Sequence, residues 1–229
     1  MEYLSNHYFM LALTFAVYAI CQLVQSRLRL SFLNPILISA IVIIAYLKLT
    51  DVSIESYNEG GKYIEFWLKP AIVALGVPLY KQLSAIRKQF VPLLLSELAG
   101  CVVGIVSVVV VARLLGATQE VVMSLAAKSV TTPIAMEVTK AVGGIPPLTA
   151  AVVVCVGIFG GMTGFKVMKM TRIGNPVAQG LSLGTAAHAV GTSRAMDESD
   201  THGAFASLGL TINGIFTALL TPTVLSLIE

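Results

Sequence analysis

Long apolar runs separated by short polar stretches make up most of the chain, and each run is close to the ~20 residues a helix needs to cross a bilayer. The first runs from about Tyr8 to Leu23 and stops at Arg27 and Arg29. The second enters through Asn34-Pro35, near Leu33, and continues to Leu49; proline suits a first helical turn because its missing N–H has no partner there anyway. The stretch carrying Asp51, Glu55, Glu59, Gly60 and Gly61 reads as a polar loop. A third run, Tyr63 to Tyr80, is interrupted by Pro70, Gly76 and Pro78, and the fourth, Val91 to Leu115, is the longest and contains Glu97. Thr118 to Val142 is too polar to face lipid, and Gly143-Gly144-Ile145-Pro146-Pro147 follows it. A clean span from Leu148 to Val167 is closed by Lys166, Lys169 and Arg172. Asn175 to Arg194 is again broken, with Gly180, Gly184 and Gly191 around His188. An acidic loop with Asp197, Glu198 and Asp200 leads to the last run, Gly203 to Leu227. This pattern predicts an all-α, polytopic transmembrane helical bundle of about seven or eight membrane segments, two of them broken or re-entrant.

Basic residues orient the segments. Arg27/Arg29, Lys81/Arg87/Lys88 and Lys166/Lys169/Arg172 are the richest loops, and the positive-inside rule puts all three in the cytoplasm. The N-terminus then lies outside, and Thr118–Val142 begins and ends on the outer side with too few residues for two spans of ~20. A re-entrant or broken hairpin solves this, and such backbone is tolerated only in protein or along a cavity. One misplaced loop would make it an ordinary span. A faint internal repeat adds to the picture. Pro70 to Phe90 and Gly184 to Phe205 are each a broken apolar stretch and a charged loop before a long apolar run, the arrangement that points to a secondary-transporter site.

Composition narrows the class. Of 229 residues, 56% are hydrophobic and 12% charged, against roughly 25% charged in soluble domains. A net charge of +3 without a basic cluster excludes a nucleic-acid binder. Cys21, Cys101 and Cys155 sit in apolar runs and give neither a disulfide framework nor a zinc spacing. Met1 to Tyr8 lacks the basic start of a secretory signal, so the first run reads as a retained helix.

Two constellations could carry chemistry. In Lys128-Ser129-Val130-Thr131-Thr132-Pro133, a lysine at membrane depth needs compensation of at least ~2.5 kcal/mol. Hydroxyls and freed helix ends beside it suit a carboxylate ligand. The structural alternative has Lys128 reaching the interface or pairing with Glu97 or Glu137. In Gly184 to Arg194, small residues permit close approach. His188 could relay a proton or be a satisfied core histidine, and Thr192, Ser193 and Arg194 could complete an anion site. Glu97, Glu137 and His188 are the proton-coupling candidates. Gly100 and Gly104 share a helical face with Glu97 and read as a helix-packing pair. Gly157, Gly160, Gly161 and Gly164 form a second small-residue face. A third comprises Ala204, Ser207, Thr211, Gly214 and Ala218, and both read as packing faces. Asp197, Glu198, Asp200 and His202 read as a solvated turn rather than a metal site, and no nucleophile elbow supports a hydrolase. Neither a cofactor, a metal nor an enzymatic activity is expected.

Ala74 to Lys81, Lys128-Ser129-Val130-Thr131-Thr132-Pro133-Ile134-Ala135, Gly143 to Pro146, His188 to Thr192 and Gly203 to Leu208 resemble the LrgB/CidB family through almost the whole chain. The resemblance implies a single LrgB-like integral membrane domain over residues 1–229, multi-pass in a bacterial cytoplasmic (inner) membrane. It implies one of two functions. Bacterial members are described as holin- or antiholin-like modulators of murein hydrolase activity and autolysis, often beside a smaller LrgA/CidA-like membrane partner. Plastid members are joined to an LrgA-like half and carry glycolate and glycerate, and some bacterial relatives are linked to pyruvate uptake. These 229 residues carry no stretch read as an LrgA-like half, so a separate partner of that type is the expectation. The expectation is a small-monocarboxylate transporter, proton-coupled and homodimeric, with the antiholin-like role as the alternative.

Overall fold

The computed structural model describes residues 6–28, 35–74 and 76–228; Arg29, Leu33 and Asn34 lie outside them. Every regular element among the described residues is a helix, and the chain divides into two compact units, Met1–Ala74 and Leu75–Glu229.

The first unit holds α1 (His7–Leu28), α2 (Pro35–Thr50) and α3 (Ile54–Ala74), with α1 packed on both others. Helix α3 corrects the expected polar loop: the chain is helical from Ile54, so Glu55, Glu59, Gly60 and Gly61 are helical. The reason is packing. A Cβ on Gly60 would stand 2.6 Å from the His7 carbonyl oxygen and 3.2 Å from Met10 Cβ, so the missing side chain lets α3 lie directly on α1. A hydroxyl contact of 3.0 Å between Thr14 Oγ1 and Tyr57 Oη ties the same pair. Close packing outweighs glycine's intrinsic helix penalty of roughly 1 kcal/mol.

The second unit begins with two short helices, α4 (Gly76–Lys81) and α5 (Leu83–Lys88), followed by α6 (Phe90–Leu114). Then come α7 (Gln119–Ala126), α8 (Thr132–Val142), α9 (Pro146–Met170), α10 (Pro176–Met196) and α11 (Asp200–Ile228). Local chemistry sets the ends. Helix α8 stops at Gly143, whose φ of 83° is the left-handed C-cap that glycine adopts without strain. Prolines open α9 and α10, and Asn175 Oδ1 caps α10 by accepting from the N–H of Val177 at 2.8 Å and of Ala178 at 3.4 Å.

Polarity runs inside out. Val103 and Val111 on α6, Phe159 on α9 and Leu219 on α11 are exposed, while Glu97, Thr149, Thr192, Asn213 and Thr217 are buried. A solvent of lipid explains that arrangement and water does not. Four helices, α1, α6, α9 and α11, are long and apolar enough to cross a membrane, which makes this a helical membrane protein. The expected count of seven or eight segments is finer than these helices establish. Helices α7 and α8, of 8 and 11 residues, are about 12 and 16 Å long against an apolar core of about 30 Å. The suggested repeat does not carry into matching elements: Pro70 to Phe90 is shared among α3, α4, α5 and the start of α6, whereas Gly184 to Phe205 lies in α10 and α11.

Candidate functional site

The two polar stretches are both interrupted, in different ways. Between α7 and α8 the chain leaves the helix at 127–131. Lys128 N donates to the Leu125 carbonyl at 3.1 Å, and Thr131 is extended with φ −62° and ψ 146°. Ala127 and Val130 are buried at this break. Helix α10 instead continues through a kink at Ala187 and His188, where His188 has φ 41° and ψ −135°. A positive φ on a histidine is strained backbone that its surroundings have to hold in place.

Asn213 on α11 joins the interruptions. Its Nδ2 donates to the Thr185 carbonyl at 3.0 Å and to the Ser129 carbonyl at 3.4 Å, and its Oδ1 accepts from Thr217 Oγ1 at 3.4 Å. Around this amide lies a cavity of about 330 Å³. Glu97 reaches it from α6, Lys128 and Ser129 from the α7–α8 break, Ser182 and Thr185 from α10, and Asn213 from α11.

The cavity's basic and acidic side chains, Lys128 and Glu97, are incompletely partnered among the described residues. Lys128 Nζ donates to Ser129 Oγ at 3.1 Å and forms no ion pair among the described residues. Glu97 is 1% exposed; its Oε1 accepts from Thr185 Oγ1 at 2.5 Å, and its Oε2 has no hydrogen-bond partner among the described residues. Thr185 Oγ1 also lies 2.7 Å from the Leu181 carbonyl, and one hydroxyl proton cannot serve both acceptors at once. A proton arriving on Glu97 would resolve this, since the acid could then donate to Thr185 while Thr185 donates to Leu181. The cavity can therefore hold an anion at Lys128 and a proton at Glu97.

Of the residues singled out from sequence, Lys128, Ser129 and Glu97 come together here. Thr131, Thr132 and Pro133 form the entry to α8 and do not line the cavity; Glu137 is exposed on that helix. His188 is buried with its Nε2 2.9 Å from the Val153 carbonyl, and Thr192 Oγ1 donates to the His188 carbonyl at 2.9 Å. Ser193 is exposed. Arg194 pairs with Glu198 at 3.5 Å and stacks 5.0 Å from the centre of the Phe165 ring. The acidic loop is also engaged, Asp200 with Lys81 at 3.5 Å and His202 with Ser199 and Gln179.

The sequence reading missed Ser182 and Asn213, and gave Thr185, inside the Gly184 to Arg194 stretch, no role of its own. The available signal for Asn213 was a lone amide in an apolar run, which needs partners in a bundle. The pair Gly100 and Gly104 divides: a Cβ on Gly100 would meet Thr185 Cγ2 at 3.3 Å, whereas one on Gly104 would meet nothing within 4 Å.

Comparison with known proteins agrees with the resemblance in the sequence. The model of the LrgB-like family matches residues 14–227. Two Bacillus subtilis (strain 168) proteins, YxaC and YwbG, are each 36% identical, over 93% and 94% of this chain and 92% and 96% of their own. The antiholin-like protein LrgB of Bacillus mycoides (strain KBAB4) is 32% identical over 94% of both chains. No solved structure matches. A family match over nearly the whole length, with relatives aligned end to end, means that the chain belongs to the LrgB-like family.

Proposed function

We propose that this chain has an antiholin-like role at the bacterial cytoplasmic membrane, as its LrgB relatives are named. Beneath that role we place the passage of a small monocarboxylate anion, the size of glycolate, glycerate or pyruvate, together with a proton. The names of the LrgB relatives speak directly for the antiholin-like role. The transport activity rests on one observation: a lysine without an ion pair shares a cavity with a buried carboxyl whose second oxygen is unpartnered. A substrate carboxylate would neutralise Lys128, with Ser129 alongside it, and Glu97 would take a proton because two carboxylates in one cavity repel.

In the second reading the chain modulates murein hydrolase activity by assembly alone, as a homodimer or with an LrgA/CidA-like partner. The match to proteins named antiholin-like over nearly their whole length favours it. Two measurements on Lys128→Met separate the readings: uptake of labelled glycolate, glycerate and pyruvate into liposomes, and the autolysis rate of cells complemented with the variant. Loss of both supports transport beneath the role. Unchanged autolysis with lost uptake, or no uptake by the wild type, supports assembly alone.

A further inference from the structure

A helix that ran on past α7 would give the Ser124 carbonyl to the N–H of Lys128, four residues along. Here that N–H goes to the Leu125 carbonyl instead, at 3.1 Å, and α7 ends at Ala126. The Ser124 carbonyl is thereby released inside the protein, where an oxygen without a partner is costly. A side chain from another helix meets it: Thr149 Oγ1 of α9 donates to it at 2.9 Å. Threonines in helices commonly bond back to their own helix, but the Ile145 carbonyl is the more distant acceptor, at 3.3 Å. Further contacts seat both arms of the break on the start of α9. Thr139 Oγ1 of α8 lies 2.9 Å from the same Thr149 hydroxyl, and Ser124 Oγ accepts from the Ile145 N–H at 2.7 Å. Gly144 admits this closeness, since a Cβ there would stand 2.9 Å from Ser124 N and 2.7 Å from Thr139 Cγ2. Ser124, Thr139 and Thr149 are fully buried, and none of them lines the cavity.

From this we infer that Thr149 is the positioning residue for Lys128. This rests on the transport reading above and adds to it a residue outside the cavity on which the anion's affinity depends. By occupying the Ser124 carbonyl, Thr149 keeps the Lys128 N–H away from it and holds α7 broken just before the lysine. The place of the ammonium in the cavity follows from that break. Asn213 holds the other side, at the Ser129 carbonyl. The backbone on both sides of Lys128 is thus satisfied by other helices, and the charged end of the side chain is left to the cavity. Without the Thr149 hydroxyl, the Ser124 carbonyl takes back the Lys128 N–H. That winds the lysine into α7 and carries its ammonium away from the anion.

The test is uptake of labelled glycolate by the purified protein in proteoliposomes, read as apparent KM and as maximal rate per folded molecule. Thr149→Val keeps the shape and loses the hydroxyl. It should raise KM about fivefold or more and leave the maximal rate within about twofold, the pattern of weakened binding. Thr149→Ser should restore the wild-type KM. Thr139→Val, which removes the neighbouring hydroxyl and spares the bond to Ser124, should leave KM within about twofold. In a Lys128→Met background, adding Thr149→Val should cost less than about twofold of the residual uptake, because the hydroxyl acts through the lysine. A hydroxyl that only packs would lower the melting temperature with KM unchanged, and that result overturns the inference. So does a serine variant with the valine variant's KM, or a loss in the Lys128→Met background as large as in the wild type. If the valine variant does not fold, Thr149→Cys, whose thiol is a weaker donor, is read in its place against the same outcomes. In each of these cases the wild type still carries glycolate and the transport reading stands. If the wild type carries none, that reading fails and this inference fails with it.

Discussion

The two interruptions in the second unit contain similar ingredients and reach opposite outcomes. Each sets a basic or titratable side chain among small and hydroxylated residues where a helix breaks. At 127–131 the break faces a cavity, and the Lys128 ammonium has one hydrogen bond among the described residues, to the neighbouring Ser129. At 187–188 the break is filled: the His188 ring occupies the notch left by Gly157, bonds to the Val153 carbonyl, and has Thr192 bonded to its own carbonyl. A broken membrane helix is thus a vacancy only when its neighbour does not supply the missing partner. Here α9 supplies it to α10, through glycines whose absent side chains admit the kink.

The largest effect should come from closing the notch. A Cβ at Gly157 would stand 2.5 Å from His188 Cε1 and 2.6 Å from Nε2, so Gly157→Ala should destabilise the protein by about 1–3 kcal/mol, the usual cost of overpacking. Thermal unfolding in detergent should fall by several degrees while uptake per folded molecule persists. A variant as stable as the wild type but unable to bind an anion would place the site at the kink and reverse the comparison. Next is Lys128→Met, which keeps the stem and removes the charge. Uptake should drop more than tenfold, equivalent to about 1.4 kcal/mol or more of anion interaction. Folding should survive because no charge is left unpaired. Lys128→Arg should recover only part, since a wide fork does not replace a compact ammonium in a small cavity.

Thr185→Val should have a smaller effect. It removes the hydroxyl between Glu97 and the Leu181 carbonyl, a net loss of about 1 kcal/mol by the usual worth of such a bond. The pH dependence of uptake should change shape along with a loss of roughly fivefold; a uniform loss at every pH would mean that the hydroxyl only packs. Arg194→Gln should change uptake less than twofold, because Arg194 is committed to Glu198 and Phe165 in a half-exposed pair of the kind that contributes about 0–1 kcal/mol. A tenfold loss there would bring the second interruption back into the site.

Hydrophobic pattern was enough to find α1, α6, α9 and α11, because an apolar run of that length has few other uses. It was also enough to mark both interruptions, since Pro133 and the glycines around His188 are local breakers. Two things were not legible. The stretch from Glu55 to Gly61 looked like a loop because its polarity outweighed everything local, and only the contact of Gly60 with α1 shows why it is helical. His188 and Arg194 looked as available as Lys128 because availability depends on what stands opposite. Gly157, Val153 and Phe165 are distant in sequence from the residues they satisfy. Asn213 was passed over for the same reason: nothing beside it on α11 hints that it reaches two other segments.

That reach has a mechanical meaning. Both amide protons of Asn213 are committed to carbonyls on different interrupted segments, Ser129 and Thr185. A slide of α11 by one turn would strand both carbonyls together, at about 1–3 kcal/mol each if they stay dry. Helix α6 adds the Cys101–Thr217 thiol–hydroxyl approach of 3.4 Å and the apolar cluster that Cys101 and Ile105 share with Leu225, Phe216 and Leu220 of α11. Asn213 therefore acts as a clamp that keeps the break at Lys128 and the first half of α10 in register with α11.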